Sequence, residues 1–285
     1  MDITLALGGG GSRGNAHLGV LRALESKGFQ IKAIAGTSAG GMAAAVYAAG
    51  YTPQEIIDKF SQVDQNQLFS FGNGHSILGV KGIVKALTKF IDEETFEDLV
   101  MPCALTAVDI EEMHEVVLRE GRVLDAVMAT IAIPGVFPPK KWGDRYLVDG
   151  GVLDPVPVQV ARSLEPDLPV VAVSLSPPPE KWKEISAPDI FSETPLLKPI
   201  TRLRVAQAFD IFVRSAELMT HVISEKQLEL EKPDVIIRPD VVDVGILDKV
   251  NVIEIAARGD QAVAEALPAL QKLKKKKGVL RRFFS

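Results

Sequence analysis

Two glycine-rich corners within the first fifty residues carry the groups that acyl-transfer chemistry uses. The first is the run Gly9, Gly10, Gly11, Ser12, Arg13 and Gly14, which offers a cluster of backbone N–H groups. The second, residues 36–40, reads Gly-Thr-Ser-Ala-Gly and presents Ser38 between an apolar run and a helical pattern. A hydroxyl on a sharp turn beside an anion-binding loop supplies a nucleophile and an oxyanion site.

The second corner matches the geometry of a nucleophile elbow, in which a strand turns abruptly into a helix. Gly36 and Gly40 would let the strand and the helix approach without Cβ clashes around Ser38. The helix that begins there directs its positive end toward developing negative charge. We therefore expect Ser38 to be a nucleophile.

The first corner has two interpretations. Gly9, Gly11 and Gly14 fit the G-x-G-x-x-G fingerprint of a dinucleotide-binding loop. That fingerprint requires an acidic residue at the end of the next strand, where this chain instead continues into Ser38. An oxyanion hole in a glycine nest is favoured, and a nucleotide-binding module stays the alternative.

The serine needs a partner that accepts its proton, and Asp149 is the stronger candidate. It ends a predicted strand and is followed by Gly150 and Gly151. Burial would raise its pKa and bring it closer to that of a useful base. The Asp-Gly-Gly run alone is equally compatible with an ordinary turn. The four histidines are expected to be structural or exposed: His17, His75, His114 and His221.

Short strands alternate with helices in the first sixty residues, which predicts parallel strands joined by right-handed crossovers. Predicted strands cover residues 2–7, 31–35, 103–107, 115–118, 145–148, 170–174 and 235–238. Predicted helices cover residues 15–27, 38–49, 122–130, 156–164, 200–230 and 251–273, with another that begins at Pro53 after Thr52 as N-cap. Residues 62–82 are predicted to form a mobile flap, and the proline-rich residues 176–199 an irregular excursion.

Bulk composition is that of a globular protein, with 47% hydrophobic and 24% charged residues among 285. The single cysteine, Cys103, excludes an internal disulfide framework and favours a reducing, cytoplasmic environment. Glycines punctuate the uncharged run 33–54, so we expect a buried helix there and no membrane span. No secretory signal, metal, cofactor or nucleic-acid partner is expected.

The C-terminus is basic although the net charge is −5. Residues 272–285 contain seven basic residues and no acidic one. We expect a single domain over residues 1–273, followed by residues 274–285 as a basic tail. The basic segment is either a solvated, frayed end or a contact for the anionic inner face of a membrane. The oligomeric state is left open.

Taken together, the motifs resemble those of the patatin-like phospholipase family, in its bacterial branch. The resemblance covers residues 4–164 and includes residues 132–139, Ala-Ile-Pro-Gly-Val-Phe-Pro-Pro, as a further family block. It implies a three-layer α/β/α sandwich with a mostly parallel central sheet. It also implies hydrolysis of acyl esters in lipids or lysophospholipids without a cofactor.

The same resemblance assigns roles to individual residues. It implies a Ser–Asp dyad of Ser38 and Asp149, with the amides around Gly10, Gly11 and Ser12 at the oxyanion. Arg13 would steer a phosphate or pair with a carboxylate. Asp154 stands where the family pattern has Asn, and we expect this extra carboxylate to influence the pKa of Asp149. An acyltransferase with the same dyad and a non-catalytic lipid-binding protein are the rival functions.

Overall fold

A computed structural model describes the backbone of residues 1–68, 70–71, 78–184 and 200–283, and the side chains of residues 1–68, 78–182 and 211–273. The strands are β1 Asp2–Leu7, β2 Gln30–Thr37, β3 Ser70–Phe71, β4 Leu78–Gly79, β5 Cys103–Asp109, β6 His114–Leu118, β7 Lys140–Trp142, β8 Arg145–Asp149, β9 Val170–Val173 and β10 Val235–Ile237. The helices are α1 Ala16–Ser26, α2 Ala39–Ala48, α3 Pro53–Ser61, α4 Lys81–Leu87, α5 Val123–Thr130, α6 Val158–Leu164, α7 Ile200–Glu231 and α8 Val252–Phe283.

Eight of these strands form one mixed sheet with the order β10-β9-β1-β2-β5-β8-β7, and β6 pairs with β5. The five strands from β10 to β5 are parallel, whereas β6, β7 and β8 join through antiparallel pairings. The short strands β3 and β4 form a separate antiparallel pair. Helices flank the sheet, which confirms the predicted three-layer α/β/α fold with a mostly parallel centre.

The edge of β5 that faces β2 is shared by two partners. Strand β2 pairs with residues 103–106 of β5, and β8 pairs with residues 107–109. The opposite edge is occupied by β6 over residues 105–109. Because a strand has only two edges, β8 must continue along the edge where β2 ends. The C-terminal ends of β2 and β8 therefore meet.

The two faces of the sheet bury side chains of different size. On one face, large residues such as Leu5, Ile34 and Leu105 pack against α1, α2, α5 and α8. On the other face, four neighbouring strands present alanine in matching register: Ala6, Ala35, Ala104 and Ala172. Small side chains on that face bring α6 close to the sheet.

The described elements agree with the predicted ones apart from their ends and a few short additions. Thr52 caps α3 through a capping box with Glu55, as its position predicted. Strand β7 and helix α4 were not predicted, and the backbone of α8 continues to Phe283, past the predicted end at residue 273. Much of the predicted excursion, residues 185–199, lies outside the described residues.

In the described parts of the chain, no helix has both the length and the apolar character that a bilayer span needs. The uncharged run 33–54 belongs to β2, α2 and the start of α3.

Candidate active site

Ser38 lies at the sharp turn between β2 and α2, with backbone angles of φ 54° and ψ −124°. A non-glycine residue with positive φ is strained, and such strain concentrates at functional sites. The turn depends on close backbone approach. A Cβ atom on Gly36 would lie 2.4 Å from the carbonyl oxygen of Gly40, and one on Gly40 would lie 2.2 Å from that of Leu7. Larger residues would therefore displace Ser38.

The backbone of this turn is held by α5. Thr130, the last residue of that helix, is fully buried and accepts a hydrogen bond from the Ser38 N–H through Oγ1 at 2.8 Å. The bond satisfies a buried donor in the strained turn and fixes the direction of the Ser38 side chain.

Asp149 ends β8 and lies next to Ser38. The Ser38 hydroxyl donates to Asp149 Oδ2 at 2.6 Å, and the Gly151 N–H donates to Oδ1 at 2.8 Å. Ser38 and Asp149 are buried, at 6% and 5% exposure. A Cβ atom on Gly150 would lie 2.2 Å from Thr106 Oγ1, so glycine is needed for this approach to β5. The structure thus brings together the two side chains that the sequence proposed as a pair.

Burial raises the pKa of Asp149 to about 6, against the smaller opposing effects of the hydrogen bonds from Ser38 and Gly151. Asp154, which was expected to influence that pKa, interacts instead with Glu115 and Glu231. Burial and these two carboxylates raise the pKa of Asp154 itself. The carboxyl group beside Ser38 is therefore ionised for the most part at pH 7, yet is a stronger base than an exposed aspartate.

The glycine-rich loop packs directly against Ser38. A Cβ atom on Gly9 would lie 3.2 Å from Ser38 Cβ, and one on Gly14 would lie 2.5 Å from Ala39 Cβ. Gly11 has a φ of +56°, and a Cβ atom there would lie 2.0 Å from the carbonyl oxygen of Ile246. The loop therefore needs glycine both for its conformation and for its contacts.

The N–H groups of this loop are not all available to a ligand. The Gly9 N–H donates to the carbonyl of Pro155, and the Ser12 N–H donates to that of Ile246, each at 2.9 Å. Ser12 was predicted to contribute its amide to an oxyanion hole, and this contact with Ile246 engages that amide elsewhere. Within the described residues, the N–H groups of Gly10 and Gly11 donate to no protein acceptor.

Arg13 is buried and ties the loop to later parts of the chain. Its Nε donates to the carbonyl of Val244, and its guanidinium lies 2.5 Å from Glu217 Oε1 on α7. Of the two roles left open for Arg13, the structure contains the pairing with a carboxylate.

The histidines that the structure describes do not hydrogen-bond to Ser38 or Asp149. Burial lowers the pKa of His17 and of His221 to about 4. His17 Nε2 donates to the carbonyl of Gly8 at 2.7 Å, and His221 Nδ1 lies 2.9 Å from Ser176 Oγ. His114 is exposed beside Glu112. His75 lies outside the described residues.

Ser38 borders two cavities. The first, which we call the aliphatic cleft, has a volume of about 150 Å³ and includes Met42, Phe60, Val63, Ile83 and Leu87 in its lining. The second, which we call the α7 cleft, has a volume of about 370 Å³. Its lining includes Gly10, Gly11, Asp149, Ala216 and His221. A cavity of about 550 Å³ between residues 177–181, residues 238–243 and α8 contains neither Ser38 nor Asp149 in its lining.

Potential metal ligands are grouped at one place in the described residues, the turn between β5 and β6. Asp109, Glu112 and His114 lie close together there, and the last two are exposed. None of them lines either cleft beside Ser38.

Several residues of the site carried no sequence signal. Thr130 ends a predicted helix like any other helical residue, and Ile246 belongs to a stretch without a predicted element. Helix α4 supplies Ile83 and Leu87 to the aliphatic cleft, and both follow the predicted flap in a stretch for which no element was predicted. The apolar residues of α4 recur at helical spacing over residues 81–87, and this periodicity is the signal that could have identified the helix.

Comparisons with known proteins show which proteins this chain is similar to. Residues 5–162 match the family model described as Patatin-like phospholipase. An uncharacterized NTE family protein of Mycobacterium bovis is 35% identical over 178 residues, which cover 61% of this chain and 49% of that protein. Lysophospholipase NTE1 of Mycosarcoma maydis is 31% identical over 180 residues, which cover 58% of this chain and 9% of that protein. The chain thus spans about half the length of its first curated relatives, or less.

Among solved structures, VipD from Legionella pneumophila is similar to this chain with a TM-score of 0.50 and 12% sequence identity. The similarity covers 95% of this chain and 67% of VipD. At this identity it supports the three-layer fold and carries no information on substrate.

Proposed function

The chain belongs to the patatin-like phospholipase family, and from that premise we propose that it is a serine acyl hydrolase that cleaves acyl esters of lipids or lysophospholipids. Ser38 is the nucleophile and Asp149 is the proton acceptor. The observation that carries this proposal is the 2.6 Å hydrogen bond from the Ser38 hydroxyl to the buried carboxylate of Asp149.

In the first step, Ser38 Oγ attacks the ester carbonyl carbon while its proton passes to Asp149. The negative charge that develops on the carbonyl oxygen is stabilised by the N–H groups of Gly10 and Gly11, which are free to donate in the described structure. The N-terminus of α2, at Ser38, adds to that stabilisation. The bond from the carbonyl carbon to the alcohol oxygen then breaks, the alcohol takes the proton back from Asp149 as it leaves, and an acyl-enzyme remains.

In the second step, water attacks the acyl-enzyme and transfers a proton to Asp149, and the fatty acid leaves as Ser38 regains a proton. The raised pKa of Asp149 supports its role in both directions, because a group with a pKa near the working pH can accept and donate protons. The described histidines are not required for either step, since they do not hydrogen-bond to the pair.

Turnover of p-nitrophenyl esters by the whole chain and by the variants Ser38→Ala and Asp149→Asn tests this function. We expect kcat to fall more than about a thousandfold in Ser38→Ala and about a hundredfold or more in Asp149→Asn. A fluorophosphonate should label the wild type at Ser38 and should not label Ser38→Ala.

Matched controls exist on the exposed face of α3, where Ser61→Ala and Asp58→Asn change the same residue types away from the clefts. Both controls should keep wild-type turnover. Undiminished turnover in Ser38→Ala, or label on another residue, would contradict the assignment. Liposome binding without labelling would favour the lipid-binding alternative, and acyl transfer to added alcohol would favour the acyltransferase.

Peripheral contact with an anionic membrane is part of the proposal. Residues 272–285 contain seven basic residues and no acidic one, and the part up to Phe283 belongs to α8. Each basic residue near an anionic lipid surface contributes on the order of 1 kcal/mol to binding. Such contact would hold the enzyme at the surface where its lipid substrates lie.

A further inference from the structure

The two cavities that meet at Ser38 differ in their relation to Asp149. Ser38 lines both the aliphatic cleft and the α7 cleft. Asp149 and Gly10 line only the α7 cleft, whereas Gly11 lines both clefts. An ester bound at Ser38 has two arms, the acyl chain and the alcohol, and this asymmetry distinguishes the cleft that suits each arm.

Proton transfer requires the alcohol oxygen to be beside Asp149. In the proposed reaction the bond from Ser38 Oγ to the carbonyl carbon forms, and the Ser38 proton moves to the Asp149 carboxylate. When the bond from carbon to the alcohol oxygen breaks, that oxygen must take the same proton from Asp149. The donor and the acceptor must then be within hydrogen-bond reach, about 2.6–3.2 Å.

We propose that the leaving alcohol, with its glycerol and head group, binds in the α7 cleft, and that the acyl chain to be cleaved binds in the aliphatic cleft. This inference rests on the proposed function, and it adds the orientation of the substrate and the residues that determine its specificity. The reverse orientation would place the alcohol oxygen in a cleft that Asp149 does not line.

The lining of the aliphatic cleft suits a hydrocarbon chain. Its walls carry apolar side chains from four helices, and the polar side chains in its lining are already paired within the protein. Asn15 donates to the Ser12 carbonyl, Gln65 bonds both backbone groups of Val250, and Lys249 donates to Asn66. A chain of methylene groups therefore leaves no polar partner unsatisfied there.

The α7 cleft, in contrast, offers an unsatisfied polar atom. His221 lines this cleft and is 3% exposed. Its Nε2 makes no hydrogen bond to any described residue, and the nearby Glu217 Oε1 lies 3.8 Å away. Burial lowers the pKa of His221 to about 4, so the ring is neutral at pH 7. Nε2 is buried beneath the cleft surface, so a small rotation of the ring would let a hydroxyl or phosphate oxygen of the leaving alcohol satisfy this atom.

The same orientation determines how water reaches the acyl-enzyme in the second step. The acyl chain still fills the aliphatic cleft after the alcohol has left, so water enters through the emptied α7 cleft. There it lies beside Asp149, which accepts a proton as the water oxygen bonds to the carbonyl carbon. That proton then moves to Ser38 Oγ as its bond to carbon breaks.

Narrowing the aliphatic cleft tests the position of the acyl chain. Ile83 is half-buried in its wall, and Ile83→Trp should shorten the space available to a chain. We expect the ratio of kcat/KM for p-nitrophenyl palmitate to that for p-nitrophenyl butyrate to fall about tenfold or more. The matched control is Ile253→Trp on α8, where the side chain is 56% exposed and lines neither cleft.

Narrowing the α7 cleft tests the position of the alcohol. Ala216→Trp should leave the ratio for palmitate over butyrate unchanged, because p-nitrophenol is a small leaving group. It should lower kcat/KM for octanoyl lysophosphatidylcholine about tenfold relative to p-nitrophenyl octanoate. Thermal unfolding checks that each variant folds. If Ile83→Trp does not fold, Val63→Trp is the substitute, because Val63 follows the C-terminal end of α3 and also lines the aliphatic cleft.

A change in chain-length preference in Ala216→Trp, with none in Ile83→Trp or Val63→Trp, would overturn the orientation while the hydrolase function stands. Failure of the proposed function gives a different result, because the wild type would then cleave none of these esters and would not be labelled at Ser38.

Discussion

The hydroxyl groups of Thr37 and Thr106 lie 2.7 Å apart, and both residues are fully buried. Thr37 immediately precedes Ser38, and Thr106 immediately precedes Ala107, the residue that pairs with Asp149. Thr37 also donates its hydroxyl to the carbonyl of Asp154 at 2.8 Å, so Thr106 must donate to Thr37. This short network fixes the junction at which β2 and β8 share the edge of β5.

We expect Thr37→Val to weaken both the fold and the reaction. Valine has nearly the same shape but cannot bond to Asp154 or Thr106, which leaves buried polar groups without partners at about 1–3 kcal/mol. Urea denaturation should show that loss in the free energy of unfolding, and kcat should fall because Ser38 and Asp149 are held less firmly. Thr88→Val, which removes an exposed hydrogen bond to Lys85, is the control. Equal losses in the two variants would contradict this role of Thr37.

The pH dependence of kcat/KM should follow the ionisation of Asp149. The carboxylate must be ionised to accept the Ser38 proton, and burial raises its pKa to about 6. We expect kcat/KM to rise about tenfold per pH unit below that value and to level off above it. Stopped assays with p-nitrophenyl butyrate across pH 4–9 measure the profile.

A histidine that titrates near pH 6 is the alternative source of such an inflection. His17 and His221 have pKa values of about 4 because they are buried, so neither accounts for an inflection near 6. His114 is exposed and lies outside both clefts, so His114→Gln should leave the inflection in place. A profile without an inflection between pH 5 and 7 would contradict the raised pKa of Asp149.

The raised pKa of Asp149 should also make the free energy of unfolding depend on pH, in a direction that can be stated in advance. Because the folded-state pKa of Asp149 is raised, its contribution to stability is fully present below the unfolded pKa, near 4, and is lost as the pH rises through about 6. Asp149→Asn removes this titration. The free energy of unfolding of the variant minus that of the wild type should therefore increase between pH 4 and pH 7. A difference that decreases over this range would contradict the assignment.

The sequence was informative where chemistry depends on local backbone geometry. The elbow at Ser38 requires Gly36 and Gly40 for close approach, so its pattern is visible in five residues. Asp149 could be proposed because it ends a strand before two glycines, but its distance from Ser38 depends on how β2 and β8 share one edge of β5. No local pattern specifies that register.

Other parts of the site depend on tertiary contacts that no local signal encodes. The Ser12 amide was predicted to face the oxyanion, yet the loop around Ile246, more than two hundred residues later, accepts its hydrogen bond. Asp154 was expected to influence Asp149, but its neighbours are Glu115 and Glu231. In both cases the partner comes from a segment whose position only the complete fold determines.

Binding of the chain to vesicles should depend on the charge of its C-terminal segment. Replacing residues 274–277, four consecutive lysines, by glutamine should reduce co-sedimentation with vesicles that contain phosphatidylserine and should weaken the salt dependence. Substitution is preferable to truncation from residue 272, because Leu273 is buried in the core. Vesicles of phosphatidylcholine alone are the control. Equal binding of both forms to the anionic vesicles would exclude an electrostatic contact at these residues.

Asp154→Asn should stabilise the fold, and more so at higher pH. Burial and the neighbouring carboxylates Glu115 and Glu231 raise the pKa of Asp154. Its contribution to stability is therefore fully present below the unfolded pKa and is lost as the pH rises through the folded one. Asparagine fills the same space without a charge, so the gain in Tm over the wild type should grow between pH 5 and pH 8, by roughly 2–4 °C for each 1 kcal/mol.

Two controls separate this effect from the chemistry at Ser38. Asp58→Asn, on the exposed face of α3, should change Tm equally at both pH values. The kcat/KM profile of Asp154→Asn should keep its inflection near pH 6. Burial is the main cause of the raised pKa of Asp149, and the charge of Asp154 does not contribute to it. A Tm gain that is larger at pH 5 than at pH 8 would show that Asp154 is stabilised in its ionised form, contrary to its buried position beside two other carboxylates.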